Sequence, residues 1–584
     1  MTLPRTKERL PLNQEIYKQF DRGLAFNQQL DLNETVETNE NFFIGRQWEG
    51  VQSNGLPKPV FNFLKRVTLH QVANITSDNI TMHGSPLAAA PNDAELETLT
   101  GYVNNELAAL MEHNRVPNLT REFMRNAAVD GDGCTYSWWD PDVEISKGVK
   151  GTIKTEVIEN TRVLFGNPNN RRVQSQPWII IYRRDFVDAV KEYAKDHGAS
   201  GEALANIKAD DDENNSRMES YVDDRCTVVL RLRRDRKTKT IWAAEVTRDA
   251  VVRDEWDLGI RLYPITWLNW DYVQDSYHGQ SLITGLIPNQ IYINKMFAMV
   301  MISQMTTAYP KVVYDKTRIS SWTNQVGAAI GVNGGDMNSV ARIIDPAQIS
   351  PQVSQFIDAA IQYTQTFTGA TAAALGDTRP DNTSAIIALQ RAASIPSELT
   401  KQNLYESIED LGRIYLEFMA EYYGSRPVDV PIKDALPEEA QAMLQFANIP
   451  QNKRVVVDFD FSALKDVPMQ LKLDVGASSY WSEIASTQTL DNLLTQDKID
   501  ILDYLERIPD GYISKRQELI DKYSAAQQQA QMAQMQPPMP ENGGGDMPPR
   551  GGGQLINTGA KEPIPTTRGY SELQRKVKRT GTAE

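Results

Sequence analysis

Histidine and cysteine are scarce in this chain, which has five of the first and two of the second in 584 residues. Two cysteines, Cys134 and Cys226, cannot staple a polypeptide of this length, which excludes a disulfide scaffold and points to a reducing compartment. The histidines (His70, His83, His113, His197 and His278) are scattered, with no HExxH or paired-cysteine spacing beside them, so no metal site and no cofactor are expected. No Gly-Lys dipeptide occurs, which removes the Walker A phosphate loop and with it a P-loop motor; no GxSxG elbow occurs either. The run Asp130-Gly131-Asp132-Gly133 opens like a calcium loop but lacks the later glutamate, and a glycine-rich turn before a strand explains it better. Positive charge is short as well: 61 Lys and Arg stand against 76 Asp and Glu, a net charge of -15. Such a chain does not hold nucleic acid by general phosphate neutralisation, so it is expected to touch DNA lightly or locally. Apolar runs of about 18 residues or more are missing, and the N-terminus has no apolar signal-peptide core, so the protein is expected to be neither secreted nor membrane-embedded.

What is present is length enough for two or more domains and an alternation of helical and strand periods. Residues 11–45 read as helix and turn, 60–82 as helix, and 93–127 as a helical region broken near Pro117. A β-rich region follows, with strands at CTYSWWDPD, TIKTEVIE, TRVLFG, WIIIYRRD, CTVVLRLRRD and TIWAAEVTRD, and an acidic exposed loop at 198–217. The fold class is therefore α+β. A helix from about 394 to 423 has Pro396 in its first turn, a 4-3-4-3-4 apolar stripe from Leu404 to Tyr422, and Gly424 at its stop. The runs RVVVDFDF and QLKLDVGAS return to strand character, and helical stretches follow at 483–496, 498–508 and 513–535. The Pro- and Gly-rich stretch beyond 535 cannot form a core, and a disordered tail is expected.

Between 264 and 373 the stretch YHGQSLITGLIPNQIYINKM leads into a helix from Pro288 to about Ala308 that is apolar nearly all round. A turn-rich excursion with Asn333-Gly334-Gly335-Asp336 and a return helix over 351–368 follow. This pattern resembles the stem and clip of tailed-bacteriophage portal proteins, and the DGDG turn followed by Trp138-Trp139-Asp140-Pro141 agrees with that family's wing. The resemblance spans most of 40–520.

The resemblance implies a portal fold with these parts: an N-terminal wing (1–280), a stem helix (281–309), a clip (310–350), a returning stem helix (351–369) and a tunnel-loop region (370–393). A long wing helix and wing completion (394–482), a helical crown (483–535) and the disordered tail (536–584) complete it. It implies no catalysis, a homo-oligomeric ring that is dodecameric in the family's particles, double-stranded DNA passing through it, and a place at one capsid vertex of the virion after assembly in the host cytoplasm. The implied partners are the terminase large subunit, a tail or adaptor protein, and capsid and scaffolding proteins. Phe297, Met301 and Met305 are the candidate subunit contacts; Ile319, Trp322, Asn324 and Gln325 the candidate docking residues of the clip; Gly369, Thr371, Gly376, Asp377, Arg379 and Asp381 the candidates for the channel. Asn289, Gln290, Asn294, Lys295, Ser303 and Gln304 interrupt the apolar surface of the stem helix, and those facing inward would give DNA a mostly uncharged wall. Two rival readings are another virion assembly protein, internal or of tail-adaptor type, and a DNA-processing enzyme.

Overall fold

The computed structural model describes residues 11–508 apart from 53–54, 56, 79, 87–93, 147–148, 211–223, 309–310, 324, 326–328, 337–338, 345–351, 369–394, 432–453, 466, 468, 476–479 and 497, with scattered residues between 513 and 523. The chain divides into two units, Met1–Gln488 and Thr489–Glu584. The tunnel-loop region and the tail lie outside the described residues.

The first unit opens with α1 (Leu12–Gln29) and α2 (Leu32–Ile44), separated by Asp31 in the left-handed region (φ 48°), and continues with α3 (Phe63–Ile75). The helix expected over 60–82 is shorter than its pattern suggested. It ends at Thr76, and Ile80–Pro86 extend as strand β1 because they pair with a strand from the far end of the unit. Helices α4 (Ala94–His113) and α5 (Val116–Asp130) follow, split at Arg115, whose φ of 50° precedes Pro117 in the first turn of α5.

Strands β2 (Asp132–Ser146), β3 (Val149–Ile158) and β9 (Ile265–Asn269) form an antiparallel sheet in the order β3-β2-β9. Strands β4 (Val163–Phe165), β5 (Trp178–Phe186), β6 (Arg225–Arg234), β7 (Ile241–Val246) and β8 (Val251–Asp257) form a five-stranded antiparallel meander. The period of two decides how this sheet packs. On β5, Ile179 and Ile181 enter the main core, while Ile180 and Tyr182 enter a second cluster with Ile16, Tyr17 and Phe20 of α1. Both faces are covered, which is why β5 reads as an unbroken apolar run. Between β5 and β6 lie α6 (Val187–Asp196) and α7 (Gly201–Asn206); the latter falls within the expected loop at 198–217, nucleated by the Ser200 hydroxyl, which accepts from the Ala203 amide at 3.2 Å.

Helix α8 spans Leu282–Ala308, 27 residues or roughly 40 Å at 1.5 Å per residue. It begins six residues before Pro288, which was expected to start it. The Ser281 hydroxyl accepts from the Thr284 amide at 3.0 Å and starts the helix there; the missing proline N–H then removes only one intrahelical bond. The excursion contains the short antiparallel pair β10 (Val312–Tyr314) and β11 (Ala341–Ile343), after which α9 (Gln352–Phe367) returns along α8.

The long helix Glu398–Phe418 ends in a π-helical turn, Met419–Tyr423, stopped by Gly424 at φ 57°. Its Leu404, Ile408, Leu411, Tyr415 and Phe418 stripe belongs to the same core as Leu107, Phe123 and Tyr263. Strands β12 (Ser425–Pro431) and β13 (Arg454–Asp460) pair with each other, and β14 (Met469–Val475) pairs with β1 in the register Ile80↔Val475. Flanks of the chain nearly 400 residues apart therefore complete one α+β body, with the α8–α9 excursion inserted between them. Helix Tyr480–Thr495 follows β14, and the second unit holds Ile501–Arg507, capped by the Asp500 carboxylate on the Ile501 amide at 2.7 Å. The third expected crown helix, 513–535, lies largely outside the described residues.

Candidate assembly and docking surfaces

The YHGQS run anchors the start of α8 through a buried polar cluster. Asp132, fully buried at the start of β2, accepts at Oδ2 from His278 Nδ1 at 2.7 Å and Asn160 Nδ2 at 3.2 Å, and at Oδ1 from Asn269 Nδ2 and the Gly279 amide, both at 2.7 Å. The other ring nitrogen of His278 meets Asn27 Oδ1 of α1 at 3.1 Å, and the Tyr277 hydroxyl lies within reach of both Asn27 Oδ1 (3.3 Å) and the Val163 carbonyl (3.2 Å), either of which can accept its one proton. Gly131 has φ 103°, and a Cβ there would sit 2.9 Å from the Gly279 carbonyl oxygen, so only glycine allows the turn to close on this cluster. Burial holds the Tyr277 hydroxyl well above its ordinary pKa, helped by the Asp132 charge, and raises the Asp130 carboxyl, with Glu40 adding repulsion. Burial likewise raises the Cys134 thiol, which keeps it protonated and unreactive. The cluster ties α1, β2, β9 and the start of α8 together, a positioning task rather than a chemical one. Sequence spacing gave no sign of it, because its members come from positions 27, 132, 160, 269 and 278.

Higher on α8, those polar interruptions that face inward were expected to line a channel; Asn289, Gln290 and Asn294 are instead engaged within the protomer. Gln290 donates to the Phe61 carbonyl at 2.8 Å and accepts from the Leu64 amide; Asn294 donates to Gln47 Oε1 at 2.6 Å. Gln290 thus serves the backbone at Phe61 and at Leu64 in the first turn of α3, where no helical partner exists, while Asn294 holds the Gln47 side chain. Asn289 donates to Thr364 Oγ1 of α9 at 3.1 Å. Phe297, a candidate subunit contact, stacks on Phe61 of its own chain with ring centres 4.0 Å apart.

Beyond Ala298 no residue of α8 is buried. Met301 and Met305 are 38% and 56% exposed, and Met299 stands beside them in solvent. Helix α9 has two stripes at i, i+7 spacing. Ile357 and Thr364 are buried, while Phe356 and Tyr363 are 61% and 64% exposed. The α8–α9 pair thus presents large apolar side chains that its own chain leaves uncovered, the mark of an interaction surface.

In the excursion, Ile319, expected at the docking face, is buried at 3% exposure and so belongs to the excursion's own packing. Trp322 is half-buried and stacks on Tyr314 of β10 at 5.5 Å; Gln325 is exposed; Asn324 lies outside the described residues. All six channel candidates, Gly369, Thr371, Gly376, Asp377, Arg379 and Asp381, also lie outside them. Among the described residues no group of three or more His, Cys, Asp or Glu is arranged to hold a metal ion, and no helix is long and apolar enough to cross a membrane.

No curated protein matches the chain. The family model described as phage P22-like portal protein matches residues 17–465, well over half of the chain, including the helical excursion and all of the α+β body except the first turn of α1 and strand β14. The chain therefore belongs to the P22-like phage portal protein family.

Proposed function

We propose that the protein is the subunit of a ring, a dodecamer by analogy with the family's particles, set at one capsid vertex. Double-stranded DNA passes through this ring during genome packaging and ejection. Membership of a structural family supports a role without catalysis. The observation that speaks most directly for a ring is the α8–α9 pair, whose Met301, Met305, Phe356 and Tyr363 are exposed in one copy and would be covered by neighbouring copies. In this reading 1–280 and 394–482 make the wing, 281–309 and 351–369 the stem, 310–350 the clip, 370–393 the tunnel loop, 483–535 the crown and 536–584 a tail. The net charge of -15 suits a conduit, since duplex must slide rather than stick.

The clip is the proposed docking site for the terminase large subunit during packaging and for a tail or adaptor protein afterwards; capsid and scaffolding proteins are further partners. Replacing residues 321–325 with a Gly/Ser run, while keeping the buried Ile319, is expected to leave rings standing and to abolish capture of the cognate terminase in a pull-down. Rings that still bind it normally would rule out docking through this segment.

The tail is expected to be dispensable for assembly, because a Pro/Gly-rich segment buries little area. Deletion of residues 540–584 should leave the sedimentation coefficient of the ring lower only by the lost mass. Failure of the truncated chain to form rings would make the tail structural.

A further inference from the structure

A cleft of about 710 Å³ lies in the first unit where the face of β2 and β3 meets β7, β8, α6 and the end of the long 398–418 helix. Its volume is in the range of ligand sites, and nothing in the portal role uses it. Tyr136 and Trp138 alternate with Ser137 on β2, so they share one face, and their rings stack with centres 5.6 Å apart and planes 16° from parallel. Glu156, directly opposite Tyr136 on β3, is exposed beside them.

The charge of the lining is lopsided. Five carboxylates, Asp140, Asp142, Glu156, Glu245 and Asp257, face it against the guanidinium groups of Arg183 and Arg253, with Asp140 also paired to Lys154 at 2.6 Å. Both guanidinium groups are engaged. Arg183 bonds Asp185 at 2.6 Å and Glu245 Oε1 at 3.1 Å; Arg253 lies 3.7 Å over the Trp256 ring and donates to the Tyr193 hydroxyl. Glu245 is only 5% exposed, and its Oε2 is buried with no hydrogen-bond partner. Trp139 and Trp256 each have an arginine of this chain over the ring, yet among the described residues no cation covers the Tyr136–Trp138 pair.

We infer that this cleft receives an arginine-bearing segment of a partner polypeptide, with a guanidinium lying on the Tyr136–Trp138 pair and its N–H fork turned toward Glu156, and Glu245 Oε2 adding negative potential behind. A planar, weakly hydrated guanidinium fits a flat ring pair beside a carboxylate better than an ammonium does. The same excess of carboxylates repels a phosphate backbone, which disfavours nucleic acid as the occupant. Unlike the clip, this site is on the α+β body, so a partner held here would not compete with one docked on the excursion.

The test uses the full-length protein in its assembled form and a fluorescent Gly/Ser peptide carrying three arginines, read by anisotropy at low salt. A peptide with citrulline in place of arginine keeps the shape and loses the charge. The arginine peptide is expected to bind at least tenfold tighter than the citrulline one. Glu156→Gln and Trp138→Leu should each weaken it about fivefold or more, while Glu202→Gln, an exposed change on α7, leaves it unaltered and so controls for the overall acidic charge. Equal binding of the two peptides would overturn the assignment, as would equal effects of Glu156→Gln and Glu202→Gln. Loss of rings in Glu156→Gln would overturn it too, by making the cleft a contact between copies of the chain. Trp138→Leu can disturb the fold, but Glu156 is exposed, so its variant decides the matter alone.

Discussion

Met301→Asp and Met305→Asp are each expected to leave a folded protomer that no longer assembles. Both methionines stand in solvent in a single copy, so a carboxylate there is hydrated and costs the isolated chain little. Covered by a neighbouring copy, the same carboxylate is desolvated without a partner at a cost of several kcal/mol, and the burial of the methionine, about 1.5–3 kcal/mol, is lost as well. The penalty recurs at every interface around a ring. Sedimentation should show a shift from ring to protomer with unchanged far-UV circular dichroism; intact rings for both variants would refute the placement of α8 at the interface. Phe297→Asp is a poorer test than its place in the sequence suggested, because Phe297 stacks on Phe61 of its own chain and its loss disturbs the protomer as well.

Asp132→Ala is expected to cost about 3–5 kcal/mol of stability, because each buried donor left without an acceptor costs about 1–3 kcal/mol. Four donors lose their acceptor at once: His278, Asn160, Asn269 and the Gly279 amide. Asp132→Asn should fall between wild type and alanine. Its carbonyl oxygen can still accept from Asn269 and Gly279, while its amide confronts the donors on Asn160 and His278. Denaturant titration followed by tryptophan fluorescence measures the series, and an Asp132→Ala variant within 1 kcal/mol of wild type would contradict the network's role in anchoring α8.

Local order was readable where local chemistry decides it. Pro117 after Arg115 splits one helical region into α4 and α5, the DGDG turn precedes a strand, and Gly424 ends the long helix. What the pattern did not reveal depends on partners remote in the chain. The start of β1, residues 80–82, looked like the end of a helix because the strand's partner, Met469–Val475, lies almost 400 residues away. Strand β8 alternates polar and apolar residues weakly and was not distinguished from its surroundings. Pro288 resembled a helix start, yet the start is set by Ser281. Which polar residues of α8 face inward could not be read from the pattern: the backbone at Phe61 and Leu64 takes Gln290, and the Gln47 side chain takes Asn294. His278 stood in no metal or catalytic spacing, and its role in the fold comes from a carboxylate 146 residues earlier. The exposed face of α8 and α9 was half readable: periodicity marks which side chains are apolar, but only packing reveals which of them the chain leaves uncovered.

Negative-stain imaging of the purified wild-type protein tests the ring most directly. Closed rings with a central hole, seen for wild type and absent for Met301→Asp, are the expected result; wild-type particles that remain single protomers at concentrations where portal rings are imaged would contradict it.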